Sequence, residues 1–203
     1  MKKVMDKLLN VDKKTLIFLF IISFIGLLTG ALFMTVLDST DKSLVKETLE
    51  GFLSHIEPNN YIRYLTNNLV INILSILLIW ALGLSIIGLP IVILFVFLKS
   101  FIVSFSLSSF IANYKMKGTV LGLIYNFPHH FINLVVFLYL GVYAIRVSGL
   151  LFNSIVKRKS IDFKTIMNRY LLVLLISILI IVVMTIFETF LTPYLLKIAL
   201  NVL

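Results

Sequence analysis

The residues that could do chemistry in this chain stand together in one apolar stretch. Asn126, His129, His130 and Asn133 occupy positions i, i+3, i+4 and i+7, so a helix would place them on one continuous face. Pro128 lies among them, and its missing N–H would kink that helix or split it in two. Such a face is either a polar lock between packed helices or the lining of a cavity.

Two isolated charges lie in other apolar stretches. Lys99 is the only ionisable residue among the forty-eight residues from Leu65 to Ala112. Glu188 is the single acid in the last apolar run. A charge within hydrocarbon is costly and needs a partner or a watery cavity. We therefore expect Lys99 to contact either Glu188 or the histidine-bearing face, and to fix the packing of the helices.

The adjacent histidines raise the question of a metal site. Zinc takes three or four ligands from His, Cys and carboxylates. The chain has three histidines and no cysteine, it lacks an HExxH sequence, and the third histidine, His55, falls in a predicted outer loop. Arrangements of nucleophile and base, and Gly-rich phosphate loops, are also missing from the sequence. The sequence thus predicts no catalytic, cofactor-binding or metal-binding residues.

The elements that position these residues are predicted to span a membrane. Hydrophobic residues make up 60% of the 203 residues and charged residues 13%, which lies outside the usage of soluble proteins. A span needs about 20 apolar residues, and five runs qualify, at approximately 15–37, 66–87, 90–112, 118–145 and 170–192. Gly88 and Pro90 mark a hinge between the second and third. We predict one all-α polytopic bundle over residues 1–203.

The distribution of charge predicts the orientation of the bundle. Lys and Arg crowd into residues 1–14 and 146–169, which should be cytoplasmic. The acid-rich segment 38–63 should then lie outside, with the N-terminus inside and the C-terminus outside. Within it, residues 41–63 show helical spacing of apolar side chains, which predicts an amphipathic helix on the outer surface. Lys115 and Lys117 fall in a short external turn and are candidate external contacts.

The excess of basic residues indicates lipid rather than nucleic acid as a partner. The net charge is +9, but the lysines and arginines stand beside the predicted spans, where they contact anionic headgroups. We expect membrane lipids among the partners, and a homo-oligomer is one further possibility.

Two segments resemble the stage II sporulation protein M family. Residues 83–90, Gly-Leu-Ser-Ile-Ile-Gly-Leu-Pro, followed by Leu98-Lys99-Ser100-Phe101, are similar to the central signature of that family. Residues 127–134, Phe-Pro-His-His-Phe-Ile-Asn-Leu, resemble the Leu-Pro-His-Gly-x-x-Glu-Leu motif of the wider superfamily. The chain departs from these patterns at Ser100 and His130, where the family has Gly, and at Asn133, where it has Glu.

The resemblance implies a mother-cell membrane protein of endospore-forming bacteria that is needed for engulfment. Its implied partners are sporulation proteins D and P, which cleave peptidoglycan, and its implied role is a non-enzymatic scaffold that recruits and localises them at the septal and engulfing membrane. Two alternatives stay open. One is a transporter or channel for a small solute or ion, with Lys99 and the histidine-bearing face lining its path. The other is an intramembrane metal-dependent hydrolase.

Overall fold

The computed structural model describes residues 12–56, 60–157 and 162–202. These ranges contain no strand and form the helices α1 (Lys13–Val36), α2 (Ser39–Ser54), α3 (Tyr61–Gly83), α4 (Gly88–Asn126), α5 (His129–Lys157) and α6 (Phe163–Val202). All except α2 are long and apolar enough to cross a membrane. The predicted all-α bundle with about five spans is therefore confirmed, while its orientation stays a prediction.

Helix α1 packs closely on α4 through small residues. Gly26 and Gly30 leave room for the α4 backbone, since a Cβ at Gly26 would lie 2.6 Å from the carbonyl oxygen of Phe97 and one at Gly30 would meet the carbonyl of Phe101. Beside them, the hydroxyls of Ser23 and Ser100 share a hydrogen bond of 2.7 Å in the buried interface. Close backbone approach and hydrogen bonds supply the attraction that the hydrophobic effect cannot supply within lipid.

Helix α4 reverses direction at Lys115, the one residue with non-helical backbone angles inside it (φ 52°, ψ −125°). The returning arm, 116–126, packs against the outgoing arm, with Gly118 against the carbonyl of Phe110. At its end Asn126 Nδ2 donates to Ser106 Oγ at 3.4 Å. The turn between the predicted third and fourth spans therefore lies at the tip of this hairpin.

The fourth span is split into two helices at Pro128, one of the two outcomes predicted for that proline. The arm 116–126 ends at Asn126 and α5 begins at His129, with a cis peptide bond between Phe127 and Pro128. Helix α5 is the most buried of the five long helices. The split therefore places the two histidines on the first turn of the central helix.

Two helices extend beyond the predicted spans. Helix α5 continues to Lys157 and α6 begins at Phe163, so much of the predicted cytoplasmic segment 146–169 is helical; residues 158–161 lie outside the described residues. Helix α6 also continues through Pro193 to Val202. It does so because Leu196 and Ala199 are buried with Phe110 and Leu121, and this packing outweighs the hydrogen bond that a proline removes.

Candidate functional site

The predicted intramembrane residues meet where α3, α4, α5 and α6 pack together. We call this group the polar cluster; its members are Asn68, Asn72, Lys99, His129, His130, Asn133, Thr185, Glu188 and Thr192. Asn126, which was predicted on the same face as the histidines, ends the helix before them and bonds to Ser106 instead, and Gly88, Pro90, Lys115 and Lys117 also lie elsewhere. The tertiary structure thus brings Lys99, Glu188 and three of the four predicted polar residues of the fourth span into one place.

The histidine pair forms the centre of the cluster. The rings of His129 and His130 have centroids 4.2 Å apart, and the ring of Tyr125 lies 5.2 Å from that of His130. His129 is 1% exposed, and its Nδ1 shares a hydrogen bond of 3.4 Å with Thr192 Oγ1 on α6. Its Nε2 is buried without a hydrogen-bond partner among the described residues. One ring nitrogen is therefore held by α6, and the other is available to a ligand.

Two asparagines of α3 hold the facing side of α6. Asn68 Nδ2 donates to Glu188 Oε1 at 3.2 Å, and Asn72 Nδ2 donates to Thr185 Oγ1 at 3.1 Å. Because the asparagines stand four residues apart, they lie on one face of α3. The bond from Asn68 orients the Glu188 carboxylate.

Lys99 lies over aromatic rings rather than in an ion pair. Its Nζ is 4.9 Å from the ring centroid of Phe137 and 5.5 Å from that of Phe95, the geometry of a cation–π contact. Among the described side chains, Lys99 and Glu188 do not approach within ion-pair distance. Lys99 instead faces the histidine-bearing face of α5, across a cavity of about 90 Å³ that also exposes His130 and Asn133.

Asn133 stands where the superfamily motif has Glu, and it contributes to the same cavity. Its Oδ1 is buried without a partner among the described residues, although the cavity is large enough for several water molecules, each of which needs roughly 10–15 Å³ of free space. A second cavity, of about 20 Å³, lies beside His129 and Glu188 and is covered by Phe52 of α2. The cluster therefore has small cavities on two sides.

Sequence reasoning missed Thr185 and Thr192 as members of the cluster. Both are buried and both bond to polar side chains of other helices. The signal was present, because Thr185, Thr189 and Thr192 recur at i, i+4 and i+7 and so share one helix face. Hydroxyl residues at helical spacing in an apolar run are a useful sign of a polar interface.

The predicted hinge forms the start of α4. Gly88 begins the helix, and a Cβ there would meet the backbone of Leu82. Pro90 follows in the first turn, where a helix tolerates proline because the first N–H groups have no helical partner. The pair thus builds a tight connection between α3 and α4.

Comparison with known proteins supports the family resemblance of residues 83–90 and 127–134. The family model of stage II sporulation protein M matches residues 16–193. The chain belongs to the stage II sporulation protein M family. The match includes every residue of the polar cluster and both hinge residues, and no curated protein or solved structure matches the chain. With five long apolar helices, this family member is a multi-pass membrane protein.

Proposed function

We propose that this protein is a non-enzymatic membrane scaffold, which recruits and localises peptidoglycan-cleaving enzymes at the septal and engulfing membrane during endospore formation. Membership of the stage II sporulation protein M family supports the sporulation context. By resemblance, the recruited enzymes are sporulation proteins D and P. The exposed apolar side chains along α1, such as Phe20 and Leu32, support contact with membrane lipids.

The proposal rests on a surface at one exposed end of the bundle. The second half of α2 packs on the apolar group around Phe110 and Leu196, and the rings of Phe52 and Tyr125 are in edge contact with centroids 5.2 Å apart. This packing places α2 beside the tip of the α4 hairpin. The two elements together form a surface that we call the hairpin-end surface.

The hairpin-end surface combines apolar and charged side chains: the hairpin tip is cationic, whereas α2 carries the exposed acids Asp41, Glu47 and Glu50 beside Lys42 and Lys46. Met116, at the hairpin tip, is 82% exposed between the exposed side chains of Lys115 and Lys117, and Leu44 on α2 is 55% exposed. The exposed Met116 between two lysines at the tip suits a partner with an apolar and acidic surface. In the predicted orientation this surface faces outside, where cell-wall enzymes act.

Co-purification from membranes of sporulating cells tests the scaffold. Tagged wild-type protein should bring down two peptidoglycan-cleaving enzymes, and the double variant Lys115→Glu/Lys117→Glu should lose most of both. Lys14→Glu/Lys164→Glu is the matched control, because it makes the same charge change at exposed positions on α1 and α6, outside the hairpin-end surface, and leaves both predicted cytoplasmic segments with a net positive charge. Full recovery of both enzymes with the hairpin variant, or failure of the wild type to recover either enzyme, would contradict this surface as the docking site.

A transporter or channel is the second candidate, and the cavity between Lys99 and His130 favours it. A path for small ions needs polar groups near the middle of the membrane. Purified protein in liposomes should then conduct, and Lys99→Met should abolish the flux. If wild-type liposomes show no flux and the pull-down recovers the wall enzymes, the transporter is refuted and the scaffold role is retained.

A further inference from the structure

We propose that the polar cluster contains a binding site for a divalent transition-metal ion, zinc above all, with His129, His130 and Glu188 as its protein ligands. One potential ligand atom from each of the three lies within 4.8 Å of the other two. Two imidazoles and one carboxylate are a donor set that zinc uses when a fourth position stays open. A tetrahedral ion with bonds of about 2.0–2.1 Å would draw these atoms to roughly 3.3 Å from one another, a small side-chain movement.

Hydrogen bonds orient two of the three ligands for binding a cation. In the metal-bound form His129 donates its Nδ1–H to Thr192, 3.4 Å away. Its Nε2 binds the metal, because this atom is buried and has no partner among the described residues. Asn68 donates to Glu188 at 3.2 Å and holds its carboxylate. Hydrogen bonds to the far side of a ligand orient it in the same way in known metal sites.

The structure also supplies room for a fourth ligand. The cavity of about 20 Å³ beside His129 and Glu188 is lined by Tyr64 and Tyr125. That volume is enough for one water molecule. We assign the fourth position to a water in this cavity.

Lys99 is the charge that opposes the site. It faces His130 across the cavity of about 90 Å³, and its ammonium group lies over Phe137 and Phe95. One carboxylate, Glu188, balances one of the two charges of the ion, so a neighbouring ammonium should weaken binding. Replacing Lys99 should therefore strengthen zinc binding, whereas replacing a ligand should weaken it.

The site differs from the sequence-based prediction, which assigned no metal ligand. The histidines belong to α5 and Glu188 to α6, and only their packing brings a third ligand to the pair. A bound ion would fasten the first turn of α5 to α6, directly after the break at Pro128. This role is separate from recruitment of wall enzymes at the hairpin-end surface.

Metal titration of the purified full-length chain in detergent tests the proposal. After removal of metal with a chelator, added Zn²⁺ should bind at one ion per chain, and Co²⁺ should give the visible absorption of a four-coordinate site. Glu188→Gln and His130→Ala should weaken zinc binding more than the 10- to 100-fold typical of a lost outer hydrogen bond. His55→Ala is the control, since His55 is exposed at the end of α2, and it should leave binding unchanged.

The results separate a built site from chance binding. Glu188→Gln keeps an oxygen that can accept the bond from Asn68, so the helical circular dichroism should stay at the wild-type level while zinc is lost. Lys99→Met should tighten zinc binding by about tenfold or more, since it removes a nearby positive charge. Folded wild type that retains no zinc, zinc binding that depends on His55, or equal binding by Glu188→Gln would each overturn the proposal.

Discussion

Replacing Gly30 by Ala should separate α1 from α4. The new Cβ would meet the carbonyl oxygen of Phe101 and lie 3.0 Å from its carbonyl carbon and 3.1 Å from its Cα. These are backbone atoms of a helix, so no side chain can rotate away to make room. The helices must move apart until the contact reaches about 3.4 Å or more, and overpacking of this kind costs about 1–3 kcal/mol.

Separation of the helices would also weaken neighbouring contacts. The hydrogen bond between Ser23 and Ser100, 2.7 Å long, lies in the same interface, and such bonds between membrane helices contribute about 0.6 kcal/mol on average and up to about 1.7. The two losses together predict a destabilisation of roughly 2–4 kcal/mol. The gain from replacing Gly by Ala within a helix, about 1 kcal/mol, partly offsets it.

Gly149→Ala supplies the matched control. Gly149 is also in a long helix, but a Cβ there would have no described atom within 4 Å, so this variant gains helix propensity without a clash. Circular dichroism can follow the reversible unfolding of both variants in mixed micelles. The gain in helix propensity is the same in both variants, so it cancels in the difference between their free energies of unfolding. Equal stability of Gly30→Ala and Gly149→Ala would refute the argument that close backbone approach holds α1 on α4.

Three further predictions concern single positions. Lys115, whose φ of 52° lies in the left-handed region, should tolerate Gly, whereas Lys115→Val should lower the unfolding free energy by about 1–2 kcal/mol relative to Lys117→Val in the same micelle assay. Tyr170→Phe should lower the free energy of unfolding by about 1 kcal/mol in that assay. The buried hydroxyl donates to the carbonyl of Trp80 at 2.8 Å, and its loss leaves that oxygen unpaired. The Thr15 hydroxyl donates to Asp12 and holds the pKa of that carboxyl below its usual range, so the carboxylate stabilises the start of α1 above the usual pKa, and this contribution is lost as the pH falls through the lowered value. Protection factors of the first-turn amides, which correct for the change of the intrinsic exchange rate with pH, should therefore fall below about pH 4, and unchanged protection would contradict the cap.

Local sequence was enough to predict the helices and the polar face. In hydrocarbon every backbone N–H and C=O must bond within its own segment, so a long apolar run forms a helix whatever its neighbours are. Proline removes one such bond, which is why the split at Pro128 could be foreseen. The spacing of His129, His130 and Asn133 placed them on one face for the same reason, since the helical repeat depends on nothing beyond the segment itself.

Helix ends and partnerships between helices required the tertiary structure. The last apolar run was predicted to end at residue 192, but α6 continues past Pro193, because the burial of Leu196 and Ala199 adds stability that no local rule contains. The sequence left two partners open for Lys99, and the packed structure places it over Phe95 and Phe137. Side-chain partners depend on helix rotation and depth, which hydropathy does not specify.

The sequence by itself determined that this protein is a helical membrane bundle of the stage II sporulation protein M family, with a histidine-bearing polar face in its fourth span. Only the tertiary structure decided that Glu188 of α6 joins His129 and His130 within 4.8 Å, and that α2 lies beside the hairpin tip. The physical reason is that apolar runs and helical spacing act within a segment. The meeting of distant segments depends instead on close packing of small residues and on hydrogen bonds between helices, which form only once the whole bundle is assembled.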